Sequence, residues 1–210
     1  MSFISSLFSQ KTKTYFKKFR KFNALNDLDK KMLEYLNFKN GFFIECGAND
    51  GVDQSNTWYY EKYLGWNGIL IEPLKKQFIE LRKNRNNKNF FFNVALSSSD
   101  SVRSLNIIEK NLISRIVDES NSDTNSISVN SMTLTRILNE ISAPSLIDFF
   151  SLDVEGYEYE IIKGIDFNKY NFKFFLIETS YELVASYLNN KNYYLLKKLS
   201  NHDLLFKYKS

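Results

Sequence analysis

The chain has 210 residues, a formal net charge of +4, and 43% hydrophobic and 25% charged residues. This composition is typical of one soluble domain with a substantial core, and the sequence shows no basic stripe of the kind that binds nucleic acid. Its single cysteine and single histidine exclude an internal disulfide bond and a Cys/His metal cluster, which favours a reducing compartment and a cytoplasmic protein.

The first 40 residues combine aromatic with basic side chains. Over residues 1–23 the aromatic spacing predicts a helix with one apolar face, which either packs on the main domain or contacts anionic lipid as a peripheral membrane helix. A second helix is predicted from Asp27 to Leu36, capped by Asn26 or Asp27. We find neither a signal peptide nor an apolar run of about 18 residues that could span a membrane. We predict a helical extension over residues 1–40 and one domain over residues 41–210.

From Gly41 onward, short apolar runs alternate with helical stretches. The predicted strands are GFFIECG, GILIEP, NFFFNVALSS, LIDFFSLDVEG and FKFFLIETS, and a hairpin with its turn at Ser200 to Asp203 ends the chain. This alternation predicts an α/β fold in which helices cover both faces of a doubly wound parallel sheet. Ser97 to Ser131 breaks the pattern, with weak apolar alternation at Ser104 to Ile108 and a predicted mobile loop at DESNSDTNS.

Polar residues and glycines stand where the predicted strands end, and ligands of doubly wound sheets bind beyond these ends. In strand order they are Glu45, Gly47, Asn49, Asp50 and Gly51; Glu72; Asn93 and Ala95; Asp153 and Glu155; and Glu178. Glycines let a backbone approach a ligand closely, and the N-terminus of the following helix can hold a carboxylate. An acid about 20 residues beyond a glycine turn can accept hydrogen bonds from a ribose.

The sequence of the glycine turn distinguishes between the candidate cofactors. Taken alone, the glycines also fit a plain turn, and a strand-end glutamate also fits a solvated acid. The pattern E-x-G-x-N-x-G, from Glu45 to Gly51, lacks the close glycine pair that admits a pyrophosphate in G-x-G-x-x-G. The chain also contains no G-x-x-x-x-G-K-[ST] loop for a nucleoside triphosphate. Together with Glu72, the turn suits a cofactor with an amino-acid end, a sulfonium and an adenosine, which is S-adenosylmethionine.

Four stretches carry a resemblance to a known family. FkbM-type methyltransferases are similar to this chain in FFIECGANDG, SNTWYYEKYLGWNGILIEP, NVALSS and FFSLDVEGYEYEIIKGID. The family uses S-adenosylmethionine and mostly methylates oxygen atoms of sugars and small natural products, as in polysaccharide biosynthesis. The resemblance covers roughly Gly41 to the C-terminus. It implies the Rossmann-like fold of class I methyltransferases, with seven strands of which the last is antiparallel.

The resemblance also implies roles for the strand-end residues. The methionine part of the cofactor would be wrapped by Glu45, Gly47, Ala48, Asn49, Asp50 and Gly51. Glu72 and Pro73 would contact the ribose, Asn93 to Ala95 would lie near the adenine, and Asp153 would face the methionine ammonium group. Glu45 stands where many relatives carry an aspartate, which is also a carboxylate. The loop between the third and fourth strand-helix units matches the family poorly, so the methyl acceptor stays open.

An alcohol acceptor must lose its proton, which requires a base or a metal ion. Asp153 and Glu155 point to the same side of an extended strand, so either is a candidate base. In the alternative, Asp153 binds only the cofactor, and Glu155 caps the next helix or pairs locally. His202, in the terminal turn, is a further candidate. A Mg²⁺ ion held by Asp153 and Glu178 is a further alternative to a base.

Three functions remain after the sequence is read. The first is methylation of a hydroxyl of a saccharide, glycolipid or related small molecule, the second is methylation of a nitrogen, and the third is a non-catalytic interaction module. We expect a small-molecule or glycan acceptor and no nucleic-acid partner. Cys46 is expected to pack as a small apolar residue. Core packing is expected for the aromatic residues near the first predicted helix, with stacking of one or two on a sugar as the alternative; they are Trp58, Tyr59, Tyr60, Tyr63 and Trp66.

Overall fold

The computed structural model describes residues 17–108, 115–117, 126–179 and 182–209, with the backbone alone for 115–117. The helices are α1 (Leu28–Lys31), α2 (Leu33–Leu36), α3 (Trp58–Leu64), α4 (Lys75–Asn84), α5 (Leu134–Glu140), α6 (Glu158–Lys163) and α7 (Glu182–Asn189), with a 3₁₀ turn at Leu25–Asp27. The strands are β1 (Phe42–Cys46), β2 (Asn67–Ile71), β3 (Phe90–Phe92), β4 (Ala95–Leu96), β5 (Ser104–Ile108), β6 (Arg115–Val117), β7 (Ser126–Met132), β8 (Leu146–Leu152), β9 (Asn171–Glu178), β10 (Tyr193–Lys198) and β11 (Asp203–Tyr208).

Seven of the described strands form the main sheet, in the order β10-β11-β9-β8-β1-β2-β3. β1 is parallel to both β2 and β8, and β9 is parallel to β8. β11 is antiparallel to β9, so the predicted seven strands with the last one antiparallel are confirmed. The chain adds strands first on one side of β1 and then on the other, which places the switch point, where ligands of such sheets bind, between β1 and β8.

Helices cover both faces of the main sheet, because its central strands are apolar on both sides. Phe43 and Phe149 belong to the core on one face, and Ile44 and Phe150 belong to the core on the other. The first of these cores also contains residues from before β1, namely Leu28, Met32 and Leu36, which are almost fully buried. The described part of the predicted extension therefore packs directly against the domain.

The predicted helix from Asp27 to Leu36 is broken into the 3₁₀ turn, α1 and α2. Asn26 and Asp27 have left-handed backbones, with φ of 53° and 56°, and neither caps a helix through its side chain. Asp27 occupies the N-cap position of α1, as predicted, but its side chain makes no capping hydrogen bond. A carboxylate oxygen of Asp29 instead accepts hydrogen bonds from the backbone N–H groups of Asn23 and Ala24, which fixes the incoming chain. The helix predicted over residues 1–23 lies mostly outside the described residues.

The single strand predicted at NFFFNVALSS is wrong, because the chain forms two strands in two sheets. The side-chain amide of Asn93 donates to the carbonyl oxygens of Glu72 and Pro73, both at 2.9 Å. These bonds turn the chain out of the main sheet after β3, and β4 then pairs with β7.

The stretch from Ser97 to Ser131 contributes β5, β6 and most of β7 to a second sheet, ordered β4-β7-β5-β6. Residues 118–125, most of the predicted loop DESNSDTNS, lie outside the described residues. Across the described part of the chain, no helix is long and apolar enough to cross a membrane.

Candidate functional site

A cavity opens at the switch point, beyond the carboxyl ends of β1, β2 and β8. It is lined by residues 45–49, 53–56, 72–74, 94–96, 151 and 153–155, together with Gln77, Ile107 and Ile161. Several predicted residues line it, namely Glu45, Gly47, Ala48, Asn49, Glu72, Pro73, Ala95, Asp153 and Glu155. Asp50, Gly51 and Asn93 are outside this lining and shape the turns behind it.

The cavity is strongly acidic. Five carboxylic side chains line it, those of Glu45, Asp53, Glu72, Asp153 and Glu155, and within the described chain no lysine, arginine or histidine does so. Two of the five have cationic partners behind the wall: Asp53 is paired with Lys17 and Glu45 with Arg85 at 3.2 Å. Carboxylates attract cations and repel anions most strongly where water is scarce. The site therefore favours a positively charged ligand over a phosphate.

The two glycines of the opening turn have different tasks. Gly47 borders the cavity with φ of +82°, and a Cβ atom there would collide with the carbonyl oxygen of Asp153. Gly51 has φ of +78°, and a Cβ atom there would lie 2.6 Å from Leu81 and 2.7 Å from Arg85. Both positions thus need glycine for conformation and packing. Gly51 is not part of the cavity lining, so its predicted approach to a ligand stays a prediction.

The carboxylate of Glu45 is held mainly by the loop that precedes α3. It accepts hydrogen bonds from the Ser55 hydroxyl at 2.9 Å, the Asn56 backbone N–H at 2.8 Å and the Thr57 hydroxyl at 2.6 Å. The Ser55 hydroxyl oxygen in turn accepts from the backbone N–H groups of Thr57 and Trp58. The backbone N–H groups of Asn56, Thr57 and Trp58 therefore already have partners within the chain. The expectation that this helix N-terminus holds a ligand carboxylate stays a prediction.

Arg85, just after α4, holds the same loop from behind and was missed by the sequence reading. Its side chain is fully buried. The guanidinium donates to Glu61 at 2.8 Å, to Glu45, to the carbonyl oxygen of Gly51, and to the hydroxyls of Ser55 and Thr57. No pattern in the sequence distinguishes Arg85 from the exposed basic residues of α4, because its burial follows from tertiary packing.

Asp50 and Asn49 shape the far side of the turn. One carboxylate oxygen of Asp50 accepts from the backbone N–H groups of Val52 and Asp53, at 2.9 and 2.8 Å. The backbone N–H of Asn49 donates to Glu72 at 2.8 Å. Asp50 therefore braces the turn outside the cavity lining, and its predicted cofactor contact stays a prediction, whereas Asn49 lines the cavity.

Glu72 is the buried acid at the end of β2. Its other carboxylate oxygen accepts from the backbone N–H of Leu74 at 2.9 Å. Burial raises the pKa of Glu72 to about 7, against the lowering effect of the two backbone hydrogen bonds. Asn93, which was predicted to lie near an adenine, uses its amide to brace the turn after Glu72. Val94, Ala95 and Leu96 line the cavity in its place.

Asp153 and Glu178 meet at the ends of the neighbouring strands β8 and β9, where their carboxyl groups are hydrogen-bonded to each other. Burial, followed by the charge of Glu178, raises the pKa of Asp153. The predicted alternative role of Glu155 as a helix cap is wrong. Glu158, the first residue of α6, accepts instead from the backbone N–H groups of Val154 and Gly156.

A second pocket adjoins the cavity at Glu155. The described residues that border it include four glutamates, Glu155, Glu158, Glu178 and Glu182, and the single histidine, His202. Burial and neighbouring glutamates raise the pKa of Glu155. This pocket lies on the far side of the Asp153–Glu178 pair, which therefore separates two acidic spaces.

Cys46 and the candidate aromatic residues behave as packing residues. The Cys46 thiol is buried at the cavity wall, and burial raises its pKa, so it carries no thiolate. Trp58, Tyr59, Tyr60 and Trp66 are buried, Tyr63 is half-exposed, and all five are outside the cavity lining.

Asn56 and Ser151 also line the cavity, although the sequence reading assigned them no role. The Asn56 side-chain N–H donates to the Ser151 hydroxyl at 2.9 Å across 95 positions of sequence. Asn56 was counted with the predicted helix and Ser151 with a buried strand. Only their tertiary contact brings them to the site.

The described residues contain no group of three or more His, Cys, Asp or Glu side chains that could hold a metal ion. The two acids proposed for Mg²⁺, Asp153 and Glu178, instead contact each other through their carboxyl groups, an arrangement that favours a shared proton. The donor set of this site therefore fits a proton better than a divalent cation.

Comparisons with known proteins agree in sequence and in fold. The family model described as "Methyltransferase FkbM domain" matches residues 45–198. The solved crystal structure of a methyltransferase FkbM from Methylobacillus flagellatus KT superposes with a TM-score of 0.52 at 14% identity, over 83% of this chain and 45% of that one. The superposition shows a shared fold, and this chain spans less than half of that protein's length. No curated protein matches the chain.

Proposed function

The chain belongs to the FkbM methyltransferase family, and from this premise we propose that it is an S-adenosylmethionine-dependent methyltransferase. Its proposed acceptor is a hydroxyl group of a saccharide, a glycolipid or a related small molecule. The strand order of the main sheet, with β11 antiparallel, supports a fold of the class I methyltransferase type. We assign residues 41–210 to this domain and residues 1–40 to an N-terminal extension.

The observation that carries the proposal is the charge of the cavity, with five acids and, in the described chain, no basic side chain. When bound, S-adenosylmethionine supplies a methyl group attached to a positively charged sulfur. This sulfur is a good leaving group when the methyl group is transferred. The acidic lining attracts that positive charge and the ammonium group of the methionine part. It disfavours the phosphates of nicotinamide and nucleoside triphosphate cofactors for the same reason.

In this proposal, different residues of the cavity wall contact different parts of the cofactor. Glu72 is placed to accept hydrogen bonds from the ribose hydroxyls, since each of its oxygens has one backbone donor and a further acceptor position. Leu74, Ala95 and Leu96 form an apolar wall beside Glu72, which suits an adenine ring. Asp153, beyond β8, faces the amino-acid end and the site of transfer.

An alcohol acceptor needs a base for its proton, and the Asp153–Glu178 pair supplies one. The two carboxyl groups together hold one proton and can accept a second. Because the pair lies between the cavity and the second pocket, it can reach an acceptor that enters from the second pocket. Glu155, which borders both spaces, is the alternative base.

Methylation of an amine nitrogen is the second candidate function. The four glutamates around the second pocket favour a positively charged acceptor. The same carboxyl pair would then remove the proton of an ammonium group before transfer. A transfer screen that includes hydroxyl and amine acceptors separates the two.

We further propose a cytoplasmic protein without a nucleic-acid partner, with peripheral membrane contact through the basic N-terminus. Phe22 stacks on Tyr59 at 4.7 Å between ring centroids, and Asn23 is buried. A truncation that removes residues 1–16 therefore spares the described packing. The truncation removes Lys11 and Lys13 together with the apolar residues Phe3, Leu7 and Phe8. Sedimentation with anionic liposomes should therefore fall, and unchanged sedimentation would contradict a membrane contact through residues 1–16.

Two measurements test the enzymatic proposal. S-adenosylhomocysteine at a hundred times its Kd should raise the unfolding temperature by about 5–10 °C. Radiolabelled methyl groups should pass from S-adenosylmethionine to a component of glycan or lipid extracts. A flat unfolding curve would favour the non-catalytic module, while stabilisation without any transfer to hydroxyl acceptors would contradict the acceptor class alone.

A further inference from the structure

The side-chain oxygen of Asn56 is a buried hydrogen-bond acceptor at the cavity wall that has no partner among the residues the structure describes. Asn56 is only 8% exposed. Its backbone N–H is bonded to Glu45 at 2.8 Å and its side-chain N–H to the hydroxyl of Ser151 at 2.9 Å. The amide is thus fixed at two points while its oxygen is left unpaired. Buried polar atoms normally have partners, so this one points to a ligand.

The orientation of the amide does not remove the unpaired atom. If the amide were turned over, its oxygen would accept from the Ser151 hydroxyl, and its NH₂ group would lose its acceptor. Either orientation therefore presents one unpaired polar end. The surrounding acids, which include Asp153, attract cationic groups, and cationic groups are hydrogen-bond donors. The oxygen is the end that such a ligand would use.

We propose that the side-chain oxygen of Asn56 accepts a hydrogen bond from the ammonium group at the amino-acid end of S-adenosylmethionine, with Ser151 holding the amide in position. This inference rests on the proposed function, since it assumes that cofactor in that cavity. Asn56 is thereby a cofactor-binding residue for the ammonium group, whereas Glu72 contacts the adenosine.

Calorimetric titration with three ligands tests the assignment on the full chain. S-adenosylhomocysteine carries the whole amino-acid end, its decarboxylated analogue keeps only the ammonium group, and 5′-methylthioadenosine lacks both charged groups. Asn56→Ala should weaken the first two about tenfold, which is the usual effect of losing a hydrogen bond to a charged group. Binding of 5′-methylthioadenosine should stay unchanged. Asn139→Ala, on the distant helix α5, is the matched control and should bind all three ligands as the wild type does.

Several outcomes would overturn the inference while the proposed function stands. The first is unchanged binding of S-adenosylhomocysteine by Asn56→Ala. The second is an equal loss of affinity for 5′-methylthioadenosine. The third is a loss of affinity for S-adenosylhomocysteine, which keeps its carboxylate, without a loss for its decarboxylated analogue. If Asn56→Ala does not fold, the nearly isosteric Asn56→Asp replaces it. This variant should bind the two ammonium ligands at least as tightly as the wild type, and weaker binding would contradict the assignment. A wild type that binds none of the three ligands would reject the proposed function itself.

Discussion

The carboxyl groups of Asp153 and Glu178 are hydrogen-bonded to each other at the ends of two neighbouring parallel strands. Two partly buried carboxyl groups so close repel each other when both are ionised, which favours a proton shared between them. The register of the sheet also places Asp203 opposite Glu178 on the antiparallel strand β11. The fold thus gathers acids at one edge, where the cavity and the second pocket meet.

Replacing Asp153 tests whether this carboxyl pair is the base. Asp153→Asn keeps the shape but cannot accept the proton, so turnover at saturating cofactor should fall by about 10²–10⁴-fold. The measurement is kcat with S-adenosylmethionine and the acceptor found in the transfer screen. Full turnover together with normal cofactor affinity would reject Asp153 as the base. Glu155→Gln is the companion variant, and a larger loss there would move the role to Glu155.

Glu72 should make adenosine binding depend on pH. Its pKa is raised by burial to about 7, so the carboxyl group ionises across neutral pH and becomes a stronger acceptor for the ribose hydroxyls. Affinity for 5′-methylthioadenosine, which lacks an ammonium group, should therefore rise between pH 6 and pH 8. Calorimetry of the wild type and of Glu72→Gln at both pH values measures the effect, and the variant should show no such rise. Equal affinities of the wild type at the two pH values would contradict the ribose role.

Arg85 should be essential to stability. Its fully buried guanidinium pairs with the carboxylates of Glu45 and Glu61, and Arg85→Gln leaves both acids buried without their cation. Loss of one partner of a buried ion pair costs about 3–5 kcal/mol, and chemical denaturation measures this free energy. Lys83→Ala, on α4, removes an exposed pair with Glu80 and should cost less than about 1 kcal/mol. Similar losses for the two variants would show that Arg85 does not hold the loop.

Removal of divalent metal ions should leave methyl transfer unchanged. The contact between Asp153 and Glu178 favours a shared proton and raises the pKa of Asp153, whereas a bound Mg²⁺ would require both carboxylates ionised and directed at the ion. The assay compares transfer rates with and without EDTA after dialysis. A loss of activity that added Mg²⁺ restores would contradict the proton-sharing pair.

The sequence predicts the central part of this fold because local patterns determine it. The apolar runs of β1, β2, β8 and β9 mark a buried parallel sheet, and their ends place Glu45, Glu72 and Asp153 together. The small sheet was not predicted, because β5 and β7 are only partly buried and β7 contains three serines. Its β4 pairs with β7, far along the chain.

The side-chain partners in the site could not be predicted, because they join distant positions. Glu45 was expected to face the cofactor, yet its carboxylate is bonded to Ser55, Thr57 and the distant Arg85. Asn93 was expected near the adenine, but its amide reaches back to the turn after β2. Alternation along a strand tells which face a side chain is on. It does not tell which donors meet that side chain once the loops have folded.

The most direct test of the account is calorimetric titration of the wild-type protein with S-adenosylhomocysteine and, in parallel, with NAD. An acidic cavity without a described basic side chain should bind the first in one-to-one stoichiometry and show no heat of binding with the second, since pyrophosphate would meet five carboxylic side chains. Absence of binding by S-adenosylhomocysteine, or equal binding of NAD, would contradict the assignment of this cavity to S-adenosylmethionine.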